Sequence, residues 1–343
     1  MFEFEKQSRR LEQEVAERSE WIEEVLSLDE NRRRRLHRMI EEEWRSGPEM
    51  TELAEMIMVP VPGGEIRVLH LSPSAAGGTG PEAGGETARR PVLFVPGWGA
   101  LPEEFQEFYD VIHGEVDLYF LETREKRSSN LDSGPWDMSV SRSARDIAEA
   151  VEYLGLSGRD YLLMGACWGS AIILEGLHLG ILKPPTVVTV DPMKRLWFPR
   201  WALRFFFRWM PPELIALLKP LIVWVKLLKM EEPRQRERAE AFIRDADIRK
   251  WKGAAVAARN FQLAGKLASI ADEVFVINSS DDTIHDQRYY PVITDRLPRG
   301  RFLSLQVGEK QRERMMGFAA LAFARTRAEE GVPELFAEYV KLP

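Results

Sequence analysis

The stretch Tyr161–Leu177, YLLMGACWGSAIILEGL, decides the fold. Its first four residues are an apolar run of the kind that forms a buried strand, and AIILEGL starts a helix. Between them stands Gly165-Ala166-Cys167-Trp168-Gly169. A strand that turns abruptly into a helix holds its central residue in a strained conformation. Side chains two positions to either side would collide, which demands the glycines. The Cys167 sulfur would then protrude at a helix N-terminus, where unpaired N–H groups and the helix dipole favour a thiolate. The competing reading is a small packed residue, the common fate of free cysteine.

On either side of this stretch, short apolar runs alternate with amphipathic segments. PVLFVPGWG (91–99), VDLYFLE (116–122), TVVTVDP (186–192), EVFVINSSDD (273–282) and RFLSLQVG (301–308) have strand character. Helical segments are predicted near Glu103–Ile112 and Ser141–Leu154. Such alternation predicts a mostly parallel sheet covered by helices on both faces. Residues Glu55 to Leu71, with Pro62-Gly63-Gly64 in the middle, predict a β-hairpin. Ser72 to Arg90 is rich in Gly and Ala and reads as a loop.

Residues 1–45 hold thirteen acidic and ten basic side chains. Leu11, Val15, Ile22 and Val25, then Leu36, Met39, Ile40 and Trp44, recur at helical spacing, and Asp29 and Asn31 are candidate caps between two helices. The Arg32–Arg35 run is followed by Glu41–Glu43, so intrahelical pairing accounts for it. The expected organisation is a helical extension over 1–50, a core over 51–194 and 266–343, and an inserted helical cap over 195–265. Residues 195–230 carry seven basic side chains, one acid and eight aromatics, yet prolines break the apolar run short of a bilayer span.

With 343 residues, 45% hydrophobic and 29% charged, the chain is long enough for one large core with appendages. A net charge of −7 argues against a dedicated nucleic-acid binder. The single cysteine excludes an intrachain disulfide. No apolar leader opens the sequence, and the expectation is a cytoplasmic protein.

From about Pro91 to Phe323 the chain resembles the α/β-hydrolase superfamily. The resemblance rests on the Gly-x-Cys-x-Gly elbow, on PVLFVPGWG, and on ETREKRSS (122–129). The last of these keeps the acid, Arg and Ser of an Asp-x-Arg-Gly-x-Gly-x-Ser loop while losing both glycines. A cysteine elbow is similar to dienelactone hydrolases and polyhydroxyalkanoate synthases. The resemblance implies an α/β-hydrolase fold, Cys167 as nucleophile, and oxyanion donors at the Trp98 and Trp168 backbone N–H groups. It also implies a triad acid at Asp282, with Asp191 as second candidate.

The family's histidine follows the last strand, where this chain has Glu309, and no histidine occurs after His285. His285 or Glu309 is the remaining candidate base, since such an attack needs a group that accepts and returns a proton. Glu309 is the poorer one, because a carboxylate disfavours a neighbouring thiolate. His37, His70, His113 and His178 read as surface or packed residues. A metal site from Asp282, His285 and Glu309 is a thinner alternative, and no metal or other cofactor is called for.

Cap residues Trp197, Trp201, Phe205 and Trp209 would roof a hydrophobic ester or thioester. Arg200, Arg204 and Arg208 would touch an anionic membrane surface or pair with the acidic N-terminal helices. Two functions stand open: hydrolysis or transfer of an acyl group through Cys167, and a catalytically inactive binder of a hydrophobic ligand or membrane surface.

Overall fold

A computed structural model describes residues 2–73, 89–194, 209–227, 233–280 and 286–342. Among these residues ten strands form a single sheet, in the order β1-β2-β4-β3-β6-β7-β8-β9-β10, with β5 (Asn130–Leu131) paired to β2. The hairpin β1 (Glu55–Val61) and β2 (Gly64–Leu71) forms as expected, and β2 runs antiparallel to β4 (Leu118–Leu121). Gly63 at its turn has φ +87, and a Cβ on Gly64 would fall 2.2 Å from the Asn130 carbonyl oxygen. From β4 through β3 (Val92–Val95), β6 (Leu162–Ala166), β7 (Thr186–Val190) and β8 (Val274–Ser280) to β9 (Gly300–Val307), all pairings are parallel. A short strand β10 (Val340–Leu342), which the sequence reading did not contain, closes the far edge antiparallel to β9.

The central strands are apolar throughout because both faces are covered. Along β3, Leu93 and Val95 pack into one cluster with helices Val140–Tyr153 and Trp168–His178. Val92 and Phe94 pack into the other, with helices Gln106–Ile112 and Arg312–Arg325. Period-two alternation along each strand thus supplies two cores from one sheet.

The N-terminal region forms three long helices rather than two: Phe2–Glu17, Ser19–Leu26 and Glu30–Glu43. The extra break falls at Arg18, whose guanidinium stacks 3.8 Å over the Trp21 ring and pairs with Glu14 and Asp295. Asp29 caps the third helix, accepting from the N–H groups of Asn31 and Arg32. The arginine run is only partly intrahelical. Arg34 pairs with Glu30, but Arg32 and Arg35 reach Glu338 and Arg33 donates to Gln306.

Between β7 and β8 lie helices Pro212–Leu217, Lys219–Leu227, Pro233–Asp245 and Ile248–Ala258. Among the described residues no helix is long and apolar enough to cross a membrane.

Candidate active site

Cys167 sits between β6 and the helix Trp168–His178 with φ +54 and ψ −112, a conformation that non-glycine residues rarely adopt. Its surroundings enforce the strain. The Cys167 N–H donates to the Val190 carbonyl at 2.8 Å, and its carbonyl accepts from Met193 N–H at 3.2 Å. Ser170 hydroxyl bonds the Gly165 carbonyl at 2.7 Å and the Val190 carbonyl at 3.1 Å, stitching the helix to both strands. A Cβ on Gly165 would meet the Ser170 nitrogen at 2.8 Å, and one on Gly169 the Val95 carbonyl oxygen at 2.1 Å. Both glycines are therefore required by contact with backbone, as the spacing predicted.

The thiol is half-buried. The loop after β3 runs against it, so that a methyl placed on Gly97 would stand 3.5 Å from Sγ. Among the described residues, neither Trp98 N–H nor Trp168 N–H donates to a backbone carbonyl. The Trp98 indole nitrogen is also buried without a partner.

An aromatic cluster surrounds these two residues. Trp98 packs edge-on against Trp168 at 5.9 Å and Trp251 at 6.1 Å, and Trp168 against Phe261 at 5.4 Å. Trp251, with Phe242 beside it, lies over Gly99, where any Cβ would fall 2.3 Å from the indole. Trp251, Phe242 and Phe261 went unnoticed in the sequence because they lie apart from the aromatic-rich run at 195–209. Of the four aromatics predicted for the roof, Trp197, Trp201 and Phe205 lie outside the described residues, and Trp209 is 76% exposed.

The loop 122–129 is built on charge. Arg124 holds Asp146 through two bonds of 2.5 and 2.7 Å, both side chains buried. Glu122 pairs with Arg67. Lys126 is buried, and its Nζ donates to the carbonyls of Gly97 at 2.6 Å and Ala100 at 2.9 Å. Burial pushes its pKa down, opposed by the neighbouring carboxylates of Glu125, Glu122 and Glu104. Lys250 is buried too and donates to the carbonyls of Ser129 at 2.5 Å and Lys126 at 3.1 Å; burial likewise depresses its pKa. A cavity of about 60 Å³ lies where Lys126, Ser128, Gly99, Trp251 and Asp245 meet.

Asp282 and His285 lie outside the described residues, and so does the metal set that would need them. Glu309 opens a short 3-10 turn, Glu309–Gln311, directly after β9. Asp191 is fully buried with φ +46. Its carboxylate accepts from Ser279 N–H at 3.0 Å, from the Ser279 hydroxyl, and from Arg312 at 3.1 Å. The remaining histidines have other company. His70 bonds Asp117 at 3.2 Å, His113 bonds the Tyr109 hydroxyl, and His178 bonds Ser269 at 2.6 Å. His37 stands on helix Glu30–Glu43, whose Leu36 and Ile40 pack in the second cluster, whereas Cys167 packs against the first.

A strand-turn-helix elbow on a mostly parallel sheet covered on both faces defines a class of fold. The profile of the alpha/beta hydrolase family matches residues 92–317, and the chain belongs to that family. No curated protein matches it. Among solved structures it is similar to an esterase from Thermogutta terrifontis, with 17% identity, a TM-score of 0.56, and coverage of 80% of this chain and 99% of that one. An esterase from Exiguobacterium antarcticum is 16% identical at TM-score 0.57, covering 78% and 98%. A bromoperoxidase from Bacillus anthracis is 11% identical at TM-score 0.57, covering 79% and 100%. At these identities the likeness concerns the fold.

Proposed function

We propose that this protein is an acyl hydrolase or acyltransferase that attacks a hydrophobic ester or thioester through Cys167. The observation that carries the reading is the strained, half-buried cysteine with the Gly97 backbone against its sulfur and the Trp98 and Trp168 amides unspent. In the attack, sulfur bonds to the acyl carbon and the carbonyl electrons move onto oxygen, where the two N–H groups stabilise the charge. Collapse expels the alcohol or thiol, which takes up a proton. Water or a second acceptor then releases the acyl group from sulfur. His285 or Glu309 serves as base in this scheme.

The aromatic cluster of Trp98, Trp168, Trp251 and Phe261 supports an apolar acyl chain, since such surface gains from removing hydrocarbon from water. Contact with an anionic lipid surface belongs to the same reading. Trp209, Leu214, Leu217, Leu221 and Trp224 are all well exposed within one short stretch, flanked in sequence by the basic run.

A second reading, a binder of hydrophobic ligand without turnover, is favoured by one observation: three histidines are bonded to other partners. Turnover of nitrophenyl acyl esters by wild type and Cys167→Ala separates the two. Activity that disappears in Cys167→Ala supports acyl transfer, and equal rates in both proteins would refute it.

A further inference from the structure

We propose that Lys126 is a positioning residue of the oxyanion site: it grips the Gly97 carbonyl and so turns the Trp98 N–H toward the acyl oxygen held at Cys167. This rests on the acyl-transfer reading above and adds to it a residue that neither the elbow motif nor the family loop singles out.

The argument starts from the peptide plane. The chain contains no cis peptide bond, so the Gly97 carbonyl and the Trp98 N–H point in opposite directions. Whatever fixes the carbonyl fixes the N–H. That carbonyl also accepts from the Ala100 N–H at 3.3 Å, closing a turn over Gly97–Ala100 in which Gly99 has φ +62. At 3.3 Å that bond is a long one. An ammonium at 2.6 Å from the Gly97 oxygen and 2.9 Å from the Ala100 oxygen adds a shorter, charged bond and locks that orientation, because a cation tolerates the carbonyl dipole in one orientation only.

The placement of the lysine is costly unless it performs this task. Its side chain is 3% exposed, and Glu125, the nearest acid, is 3.9 Å away. A methionine would fill similar space without desolvating a charge. Lys126 occupies the position between the two glycines that the family loop carries and this chain replaces with Glu125 and Arg127.

The lysine is itself held in place. Lys250, on helix Ile248–Ala258, donates to the carbonyls of Lys126 and Ser129 and to the Ser129 hydroxyl at 2.9 Å. A continuous set of bonds therefore runs from that helix through the loop 126–129 to Gly97, where an added methyl would stand 3.5 Å from the Cys167 sulfur.

The test compares wild type, Lys126→Met, Lys126→Gln, Lys250→Met and Cys167→Ala. It measures nitrophenyl butyrate turnover and determines a crystal structure of Lys126→Met. Loss of one oxyanion donor lowers kcat by about 100-fold or more. Lys126→Met is expected to show that loss with KM within about twofold, and its Gly97 carbonyl is expected to turn from its wild-type direction. Lys126→Gln keeps an NH2 donor but loses the charge and is expected to fall between, as is Lys250→Met, which loosens the loop from outside. If Lys126→Met does not fold, Lys126→Gln carries both measurements. Wild-type kcat in the folded Lys126 variants, with Cys167→Ala inactive, would overturn the assignment and leave the Cys167 reading standing. Should wild type show no turnover, the Cys167 reading fails, and an unmoved Gly97–Trp98 peptide in Lys126→Met would then overturn the positioning role separately.

Discussion

Asp191→Asn tests whether the second candidate acid holds the architecture together. The carboxylate is fully buried, and Ser279 and Arg312 supply its donors, so the ends of β7 and β8 and the start of helix Arg312–Arg325 all meet on one charge. Asparagine keeps the shape and tolerates the positive φ at this position, which isolates the charge from backbone strain. Its amide NH2 must face either Ser279 or Arg312, leaving a donor without an acceptor. Removing one partner of a buried pair costs about 3–5 kcal/mol. The Arg312 side chain keeps 17% exposure, so water recovers part of that, and about 3 kcal/mol is expected for Asp191→Asn. Arg312→Met strands a buried carboxylate and belongs nearer 5 kcal/mol. The double variant should cost less than the sum by about 2 kcal/mol, since the partners touch. Urea denaturation of the four proteins gives these values directly. Stability of Asp191→Asn within about 0.5 kcal/mol of wild type, or strict additivity, would refute the reasoning.

Other expectations follow from single contacts. Gly169→Ala places a methyl 2.1 Å from a backbone oxygen that cannot move aside, and should cost on the order of 4 kcal/mol or more. Gly63→Ala meets nothing within 4 Å and should cost only about 1 kcal/mol for its φ of +87, by the same denaturation assay. His70 has its pKa raised chiefly by its hydrogen bond to Asp117. Its folded pKa thus exceeds the unfolded value, so its contribution is fully present below about pH 6.5 and is lost as pH rises through the folded value. His70→Gln should flatten that part of the stability–pH curve, and an unchanged slope would contradict the assignment. Leu217→Glu with Trp224→Glu should abolish flotation with anionic liposomes, and flotation that ignores lipid charge would defeat the lipid-surface proposal.

The sequence made the elbow legible because its constraints are local. Gly165 and Gly169 answer to atoms within a few residues of Cys167 or on the adjoining strand, and the strands declare themselves as apolar runs. The helix predicted at Ser141–Leu154 appears one residue earlier, at Val140–Tyr153. Pairings over long separations were not legible. Asp191 and Arg312 are 121 residues apart, as are Ser129 and Lys250, and residue types alone did not mark either pair. The same distance hid the destination of Arg32 and Arg35, since nothing near them in sequence announces Glu338. Lys126 was unreadable for a further reason: its partners are backbone carbonyls, which every sequence contains.

Intact-mass measurement after brief exposure to a nitrophenyl acyl ester, followed by peptide mapping, addresses the acyl-transfer proposal most directly. The account predicts one acyl group per chain, carried on the peptide containing Cys167 and absent from Cys167→Ala. A chain that remains unmodified while the ester is consumed, or an adduct mapping to any other residue, would contradict it.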